Sequence, residues 1–454
     1  MSCKKTLCIV VLFLTVLNTA VIAQKDTLRV MAYNVLYYGN GCQGPNYQYH
    51  NYLKTIVNYT NPDIVSLEKM AAIPTSASDK YATAPTGFAD SIIRYGLNAA
   101  FPGRYAYCPF SNKAKGNNIA VVFYDQHKLG FAGVVSSYVN ITDFNTYKLY
   151  YKDPNLPKTH DTVFLYVTAN HDRSGDENEN VRAIQINGVL NNIKQHFSRL
   201  PNFIDLGDFN SRGSREPFYQ TLVAPADTNF RFFDPPFYPD KKLSYPSDWD
   251  HDSLFAPYFT TSTRELKSVP NSCGTDGGAK GWYDHIFLSS WIINNANRMR
   301  YIPNSYRTIG NDGQRFKVSV NDKGPHINRT TPGAVSEALF QMSNKYPVMA
   351  DIEVDLNGKV MSNPGIAGSH DLPIEEVFIE KIVKEEIILH CPEDRLGQAI
   401  TVEVLDEANR SQMKVKTKIT GVLTKINCKL KAGSYLVKVT GHHNIIAEEK
   451  VIKK

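Results

Sequence analysis

The stretch "NFIDLGDFNSRG", Asn202 to Gly213, sets an apolar strand against a polar end. Phe203, Ile204 and Leu206 supply the strand, and Asp208 and Asn210 stand two residues apart where it stops. A period-two strand points such a pair to one side. A carboxylate acceptor beside an amide suits a scissile phosphate and its attacking water. The same residues also suit a strand that closes in an Asx turn, so the rest of the chain decides between the two.

Working outward, other apolar segments also end in polar side chains. "VMAYNVLYYG" places Asn34 at a tyrosine-rich strand end, "YVTANHDRSG" places His171, and "GWYDHIFLS" places Asp284. Singly, His171 reads as a hydrogen-bonded structural histidine and Asp284 as a turn residue; together they form a set of strand-end polar groups, where α/β folds put their chemistry. Strand-like "TLRVMAYNVLYYG", "PDIVSL", "NNIAVVFYD", "YKLYY", "TVFLYVTANHD" and "YDHIFLSS" alternate with helix-like "YQYHNYLKTIVNYT" and "NVRAIQINGVLNNIKQHF". In the second helix Val181, Ile184, Ile186, Val189, Leu190 and Ile193 supply the apolar positions. The alternation predicts sheets covered by helices in one α/β domain over residues 24–356. Its last strand is "QMSNKYPVMADIEV", Gln341 to Val354, which opens on an amide and a full positive charge, Asn344 and Lys345.

The chain has 454 residues, 42% hydrophobic and 11% aromatic, enough for a large core in two or three domains. Residues 1–23 have the basic start, apolar run and small-residue end (Val21-Ile22-Ala23) of a cleaved signal peptide. No later stretch is apolar for long enough to serve as a membrane anchor. Without Lys4 and Lys5, 48 basic residues face 44 acidic ones, too mild a surplus to argue for nucleic acid by itself. Cys3 and Cys8 leave with the signal. Cys42, Cys108, Cys273, Cys391 and Cys428 lack C-x-x-C spacing, so zinc is not expected, and they leave room for one unassigned disulfide. Residues 357–373, rich in glycine and proline, read as a linker. Residues 374–454 carry short strands with a turn about every ten residues, the spacing of a small β-sandwich.

Taken together, "YNVLYYG", "GDFN", "YDHI", "TIGNDGQRF" and "MSNKYPV" resemble the endonuclease/exonuclease/phosphatase superfamily with its deoxyribonuclease-I-like fold, over residues 27–356, and are most similar to exported members from Bacteroidota. The resemblance implies a four-layer sandwich, two packed β-sheets flanked by helices, with a phosphodiesterase site at the strand ends. It implies Asn34 on the metal side, His171 at the phosphate, Asp208 and Asn210 as the water- and phosphate-positioning pair, and Asp284 in the penultimate motif. His285 matches no catalytic histidine, and alternation turns it the other way.

Two positions depart from the family pattern. The family's metal glutamate follows P-D-I-x-x-x-x-E; in "PDIVSLEKM" that place holds Lys69, with Glu68 one residue early. A one-residue offset reverses a strand side chain, so Glu68 reaches the site only if a bulge re-aims it. The last motif, S-D-H-x-P-V or S-N-H-x-P-V in the family, reads Ser343-Asn344-Lys345-Tyr346-Pro347-Val348 here, with Lys345 for the catalytic histidine. An ordinary lysine stays charged to pH of about 10 and is a poor base, and an ammonium repels the metal its position should hold. The expectation is therefore a partly degenerate site that binds phosphate or nucleic-acid backbone through Lys69 and Lys345 with little or no hydrolysis. The alternative is an active extracellular nuclease or phosphodiesterase using Mg²⁺ or Mn²⁺, a cofactor that a binder has no need of. Tyr33, Tyr37 and Tyr38 are candidates to stack on bases. The C-terminal "LKAGSYLVKVTGHHNIIAEEKVIKK" resembles a type IX secretion sorting domain, which with the signal peptide implies passage through a Gram-negative periplasm to the cell surface or medium, the secretion machinery being a partner. Substrate identity and oligomeric state are left open.

Overall fold

A computed structural model describes residues 25–40, 46–73, 88–159, 162–238, 248–266, 274–356 and most of 377–453. The expected signal peptide, the linker, Cys42 and Cys273 lie outside the described residues. In chain order the strands are β1 (Lys25–Asn34), β2 (Ile64–Ala71), β3 (Tyr105–Tyr107), β4 (Asn118–Asp125), β5 (Leu129–Val139), β6 (Asp143–Tyr151) and β7 (Phe164–His171). β8 (Phe203–Asp208), β9 (Phe232–Phe233), β10 (Asp284–Ser289), β11 (Met299–Tyr301), β12 (Arg307–Thr308) and β13 (Val348–Asp355) follow.

They make two sheets. One runs β11-β13-β1-β2-β4-β3, with β12 paired to β13; the other runs β5-β6-β7-β8-β10-β9. Each has one parallel pair, β1 with β2 and β7 with β8, in otherwise antiparallel surroundings. A parallel pair needs a crossover, and each crossover holds a helix, Asn46–Thr60 in the first and Glu179–Lys194 in the second. The first helix packs on Gly333–Met342 and the second on Pro217–Val223. The sheets meet face to face through β1, β2, β8 and β10, giving helix, sheet, sheet, helix: the four-layer sandwich. β4, β8 and β10 are buried at every residue, as strands covered on both faces are.

Two sequence readings need correction. The chain does not enter the core as a strand at Gln341: the helix Gly333–Met342 runs to that point, Ser343 is extended, and pairing with β1 starts at Val348. The helix Glu179–Lys194 does not bury the expected stripe either. Ile184 is 57% exposed, whereas Arg182 and Gln185 are fully buried beside Ile186, Val189, Leu190 and Ile193. Gln185 accepts the Arg173 N–H, and Arg182 bonds Glu216 and the carbonyls of Arg173 and Gly175, which keeps both polar side chains inside.

Residues 377–453 form a separate pair of sheets: β14 (Phe378–Ile379), β16 (Glu386–His390) and β19 (Leu423–Asn427) in one, and β15 (Ile382–Val383), β17 (Ala399–Leu405), β18 (Ser411–Lys418), β20 (Gly433–Gly441) and β21 (Asn444–Lys453) in the other. Ile387, Leu389, Val402, Val404, Val437 and Val439 share their own core. Cys391 and Cys428 are buried in it as free thiols, as is Cys108 in the larger core. Burial pushes both C-terminal thiols above their usual range.

The close approach of β7 and β8 depends on Gly207. Its φ is +141°, and a Cβ there would lie 2.0 Å from the Asn170 carbonyl oxygen. We expect Gly207→Ala to lose more than about 2 kcal/mol of stability, through strain and a clash with backbone that cannot yield. Urea unfolding with an unchanged m-value checks this.

Candidate functional site

The two parallel pairs end at the same place. Register puts Asn34 beside Glu68 in the first sheet and His171 beside Asp208 in the second. Asn34 Nδ2 donates to Asp208 Oδ2 at 2.7 Å, joining the sheets, while its Oδ1 accepts the Leu36 N–H at 2.9 Å. β10 runs antiparallel to β8 with Asp284 opposite Asp208, which brings two carboxylates together. Between them lies Lys345, its Nζ 2.9 Å from Asp208 Oδ2 and 3.3 Å from Asp284 Oδ2. All three are at least 95% buried.

The extended segment before β13 aims Lys345. Ser343 Oγ donates to the Asn34 carbonyl at 2.7 Å and accepts the Lys345 N–H at 3.1 Å. The Tyr283 ring covers the ammonium at 4.5 Å, and its far neighbour is the Arg212 guanidinium at 4.1 Å. Alternation then turns Asn344 away. Its Nδ2 donates to Thr275 Oγ1 at 2.8 Å, and it forms no hydrogen bond with Asp208, Asp284 or Lys345. Asn344, a candidate site residue by sequence, is therefore outside the cluster.

Asn210 is present, though not by strand alternation. β8 ends at Asp208, Asn210 takes a left-handed φ of +49°, and its N–H donates to Asp208 Oδ1 at 3.0 Å, an Asx turn. Its Nδ2 holds the Asp172 carbonyl at 2.9 Å. His171 Nδ1 lies 2.9 Å from Asn118 Oδ1. Asn118, Tyr283 and Ser343 escaped the sequence reading of the site. For Ser343 a signal existed, since it shares Lys345's extended segment two residues away; Asn118 looked like any polar residue opening a strand.

The offset at Glu68 resolves through a bulge. Leu67 pairs with Val121 but Met70 with Ile119, so Glu68 and Lys69 together oppose one residue, and Lys69 has φ +58°. Parallel register puts Glu68 on the face that carries Asn34. It is fully buried, and neither carboxylate oxygen has a hydrogen-bond partner among the described residues. Lys69 is half-buried, with its Nζ 4.6 Å from the Tyr37 ring centroid. It has no carboxylate partner among the described residues. His285, as alternation demands, turns away from the cluster, to Asp234 at 3.1 Å beneath Trp282.

Burial favours neutral forms, and neighbouring charges decide the outcome. Burial raises Asp208, but Lys345, His171 and Asn34 outweigh it and hold this carboxyl below its usual range. For Asp284 burial wins, helped by the Asp208 charge, and the carboxyl is pushed up to about 7. Burial, together with the Asp284 and Asp208 charges, raises Glu68 well above the usual range. His171 is brought down to about 4 by burial, with Lys69 and Lys345 adding to the effect and Asp208 opposing it. Burial lowers Lys69 as well, the Lys345 charge reinforcing this against Asp208.

No protein-family model and no curated protein matches the chain. Among solved structures it is similar to the human Nocturnin catalytic domain with bound sulfate, at 14% identity over 72% of this chain and 97% of that one, TM-score 0.42. It is similar to D. rerio TDP2 complexed with a single-strand DNA product, at 15% identity over 72% and 99%, TM-score 0.43. An endonuclease/exonuclease/phosphatase family protein from Bacteroides thetaiotaomicron is 14% identical over 73% and 99%, TM-score 0.41.

A divalent metal in this site is tested by its donors. Mg²⁺ and Mn²⁺ want near-octahedral oxygen sets. Here Lys345 holds the facing oxygens of Asp208 and Asp284, the Leu36 N–H holds Asn34 Oδ1, and among the described residues Asp284 Oδ1 and the two Glu68 oxygens are left without hydrogen-bond partners. Among the described residues no three of His, Cys, Asp and Glu converge as a ligand set. As arranged, the residues do not fit the metal.

Two outcomes follow. Lys345→Met leaves two buried carboxylates facing each other without their counter-charge, and should cost about 3–5 kcal/mol at pH 7, read by chemical denaturation. The pH profile carries opposed contributions. Between about pH 4 and 7 native Asp284 keeps a proton that the unfolded carboxyl has released, so its contribution declines as pH rises; His171, neutral when native, contributes stability that grows from about pH 4 to its unfolded value near 6.5. Histidine NMR should put the His171 midpoint near pH 4, and a midpoint above 6 would contradict this picture.

Proposed function

We propose that this chain is an exported, deoxyribonuclease-I-like phosphate-binding protein, which takes a phosphodiester or nucleic-acid backbone at the Asp208 turn and hydrolyses it poorly or not at all. The observation that carries the reading is the Lys345 ammonium seated between Asp208 and Asp284. A general base must accept a proton near the operating pH, and a lysine bonded to two carboxylates is charged and committed. His171, neutral and with its Nδ1–H given to Asn118 Oδ1, presents Nε2 as an acceptor for a water proton but lacks a carboxylate hydrogen bond to orient it for proton abstraction.

The two lysines divide the work. Lys345 offsets internal charge and keeps the turn assembled. Lys69, without a carboxylate partner among the described residues, is the cation available to an incoming phosphate, with the Tyr37 face beside it able to stack a base. The signal-like residues 1–23 and the sorting-domain-like C-terminal segment support export to the cell surface or medium. Glu68 favours a second reading, a divalent-metal-dependent extracellular nuclease, because its bare carboxylate shares Asn34's face.

Fluorescence anisotropy with labelled oligonucleotides in chelator should show binding that weakens about tenfold, or about 1.4 kcal/mol, in Lys69→Met. Turnover of DNA, RNA and bis-p-nitrophenyl phosphate should stay at background with Mg²⁺ or Mn²⁺. Metal-dependent hydrolysis lost in Asp208→Ala would establish the second reading instead. Because the bulge already presents Glu68, Lys345→His is the substitution expected to bring hydrolysis above background.

A further inference from the structure

Asn118 fixes what His171 offers to a ligand. It opens β4 opposite Ala71, two residues past Lys69 on β2, and the carbonyl before it, that of Asn117, takes the Ala72 N–H at 3.0 Å. Its Nδ2 donates to Asn117 Oδ1 at 2.8 Å. The other end of the amide, Oδ1, therefore faces His171 Nδ1 at 2.9 Å, and an amide oxygen only accepts. His171 thus carries its proton on Nδ1, while Thr142 Oγ1 holds its carbonyl at 3.1 Å. Above an ordinary value of about 6.5 an imidazole keeps one ring proton, which leaves Nε2 a bare acceptor. That nitrogen has no hydrogen-bond partner among the described residues, and the side chain is half-buried rather than sealed.

The donors around it are already bonded inside the protein. Asn34 Nδ2 goes to Asp208 Oδ2, the Asn210 N–H to Asp208 Oδ1, Asn210 Nδ2 to the Asp172 carbonyl, and the Lys345 ammonium to Asp208 and Asp284. Register sets His171 beside Asp208, so a phosphate at the Asp208 turn with Lys69 as its counter-charge has the Nε2 lone pair for a neighbour. An ionised phosphodiester presents acceptors only, and two lone pairs repel. What satisfies Nε2 is a donor carried by the ligand close to its phosphate.

We propose that the ligand is a phosphate ester with a free hydroxyl on the carbon next to the ester, the arrangement at the 2′ and 3′ positions of a ribonucleotide, and that His171 Nε2 accepts from that hydroxyl. The inference rests on the phosphate-binding reading and adds the discriminating group to it. Lys69 takes the charge, and His171 tells ribose from deoxyribose. Asn118 is a positioning residue, which acts through the imidazole by holding the proton on the nitrogen turned away from the ligand.

The test measures binding of the full chain, in chelator, to labelled single strands of one sequence made as RNA, as 2′-fluoro RNA and as DNA. RNA should bind about tenfold more tightly than DNA, the worth of one hydrogen bond in a sheltered site. The 2′-fluoro strand keeps the ribose pucker and loses the donor, so it should bind no better than DNA; binding as tight as that of RNA would overturn the proposal, since sugar shape would then be what is read. Equal binding of RNA and DNA would also overturn it and leave the phosphate reading standing, whereas failure of all three strands to bind overturns both. Lys69→Met should weaken RNA and DNA together and keep their ratio, and His171→Phe should bring the ratio to one. Competition by adenosine 3′-monophosphate against its 2′-deoxy counterpart separates the sources: the same preference in the mononucleotide supports a small ligand, and a preference confined to the strand supports a polymer. Should the His171 variant not fold, nitrogen-correlated NMR of the wild type with RNA bound decides: a proton on Nδ1 alone supports the proposal, and a proton on Nε2 overturns it.

Discussion

The parallel pairing of β1 with β2 and of β7 with β8 is the constraint on which the site depends. Parallel neighbours place residues of equal register side by side, and their carboxyl ends share one edge of the sheet. Because the sheets pack inner face to inner face, Asn34 and Glu68 from one and His171 and Asp208 from the other converge without any loop having to carry them. A hydrogen bond from Asn34 Nδ2 to Asp208 Oδ2 spans both pairs. The helices that make the crossovers are thus what allows a polar centre to exist in a core otherwise filled by Val, Ile, Leu and Phe.

Within that centre, electrostatics follow from Lys345. Two buried carboxylates on adjacent antiparallel strands would repel each other strongly in a low-dielectric interior. The ammonium between them stabilises Asp208 as a carboxylate and leaves Asp284 near neutrality. Lys345 therefore makes the centre an ion cluster rather than a pair of opposed carboxylates. The Tyr283 ring is shared by the Lys345 ammonium and the Arg212 guanidinium, and Arg212 is itself paired with Asp176 and Asp250.

Much of this was legible in the chain. Strand-end positions of Asn34, His171, Asp208 and Asp284 followed from apolar runs stopping at polar residues, the order of periodicities pointed to sheets covered by helices, and the two-sheet sandwich followed from the family resemblance. Three features resisted. The bulge at Glu68 and Lys69 depends on pairing with β4, a partner fifty residues away, and local alternation carries no trace of it. Asn210 sits where Asp208 can cap its N–H, so turn chemistry rather than strand period sets its direction. The buried face of Glu179–Lys194 departs from its apolar stripe because Arg182 and Gln185 find partners in Glu216 and the Arg173 segment, which periodicity cannot show.

The free thiols of the C-terminal sheets carry a consequence of their own. Oxidation and disulfide exchange proceed through thiolate, and Cys391 and Cys428 are both sheltered and held protonated by the same burial that packs them beside Ile387 and Val402. Their reactivity is thereby tied to opening of that small core. The closed core keeps them as inert packing atoms, whereas a chain delayed in folding would expose them to mispairing, so how fast this small core closes sets the redox fate of its thiols.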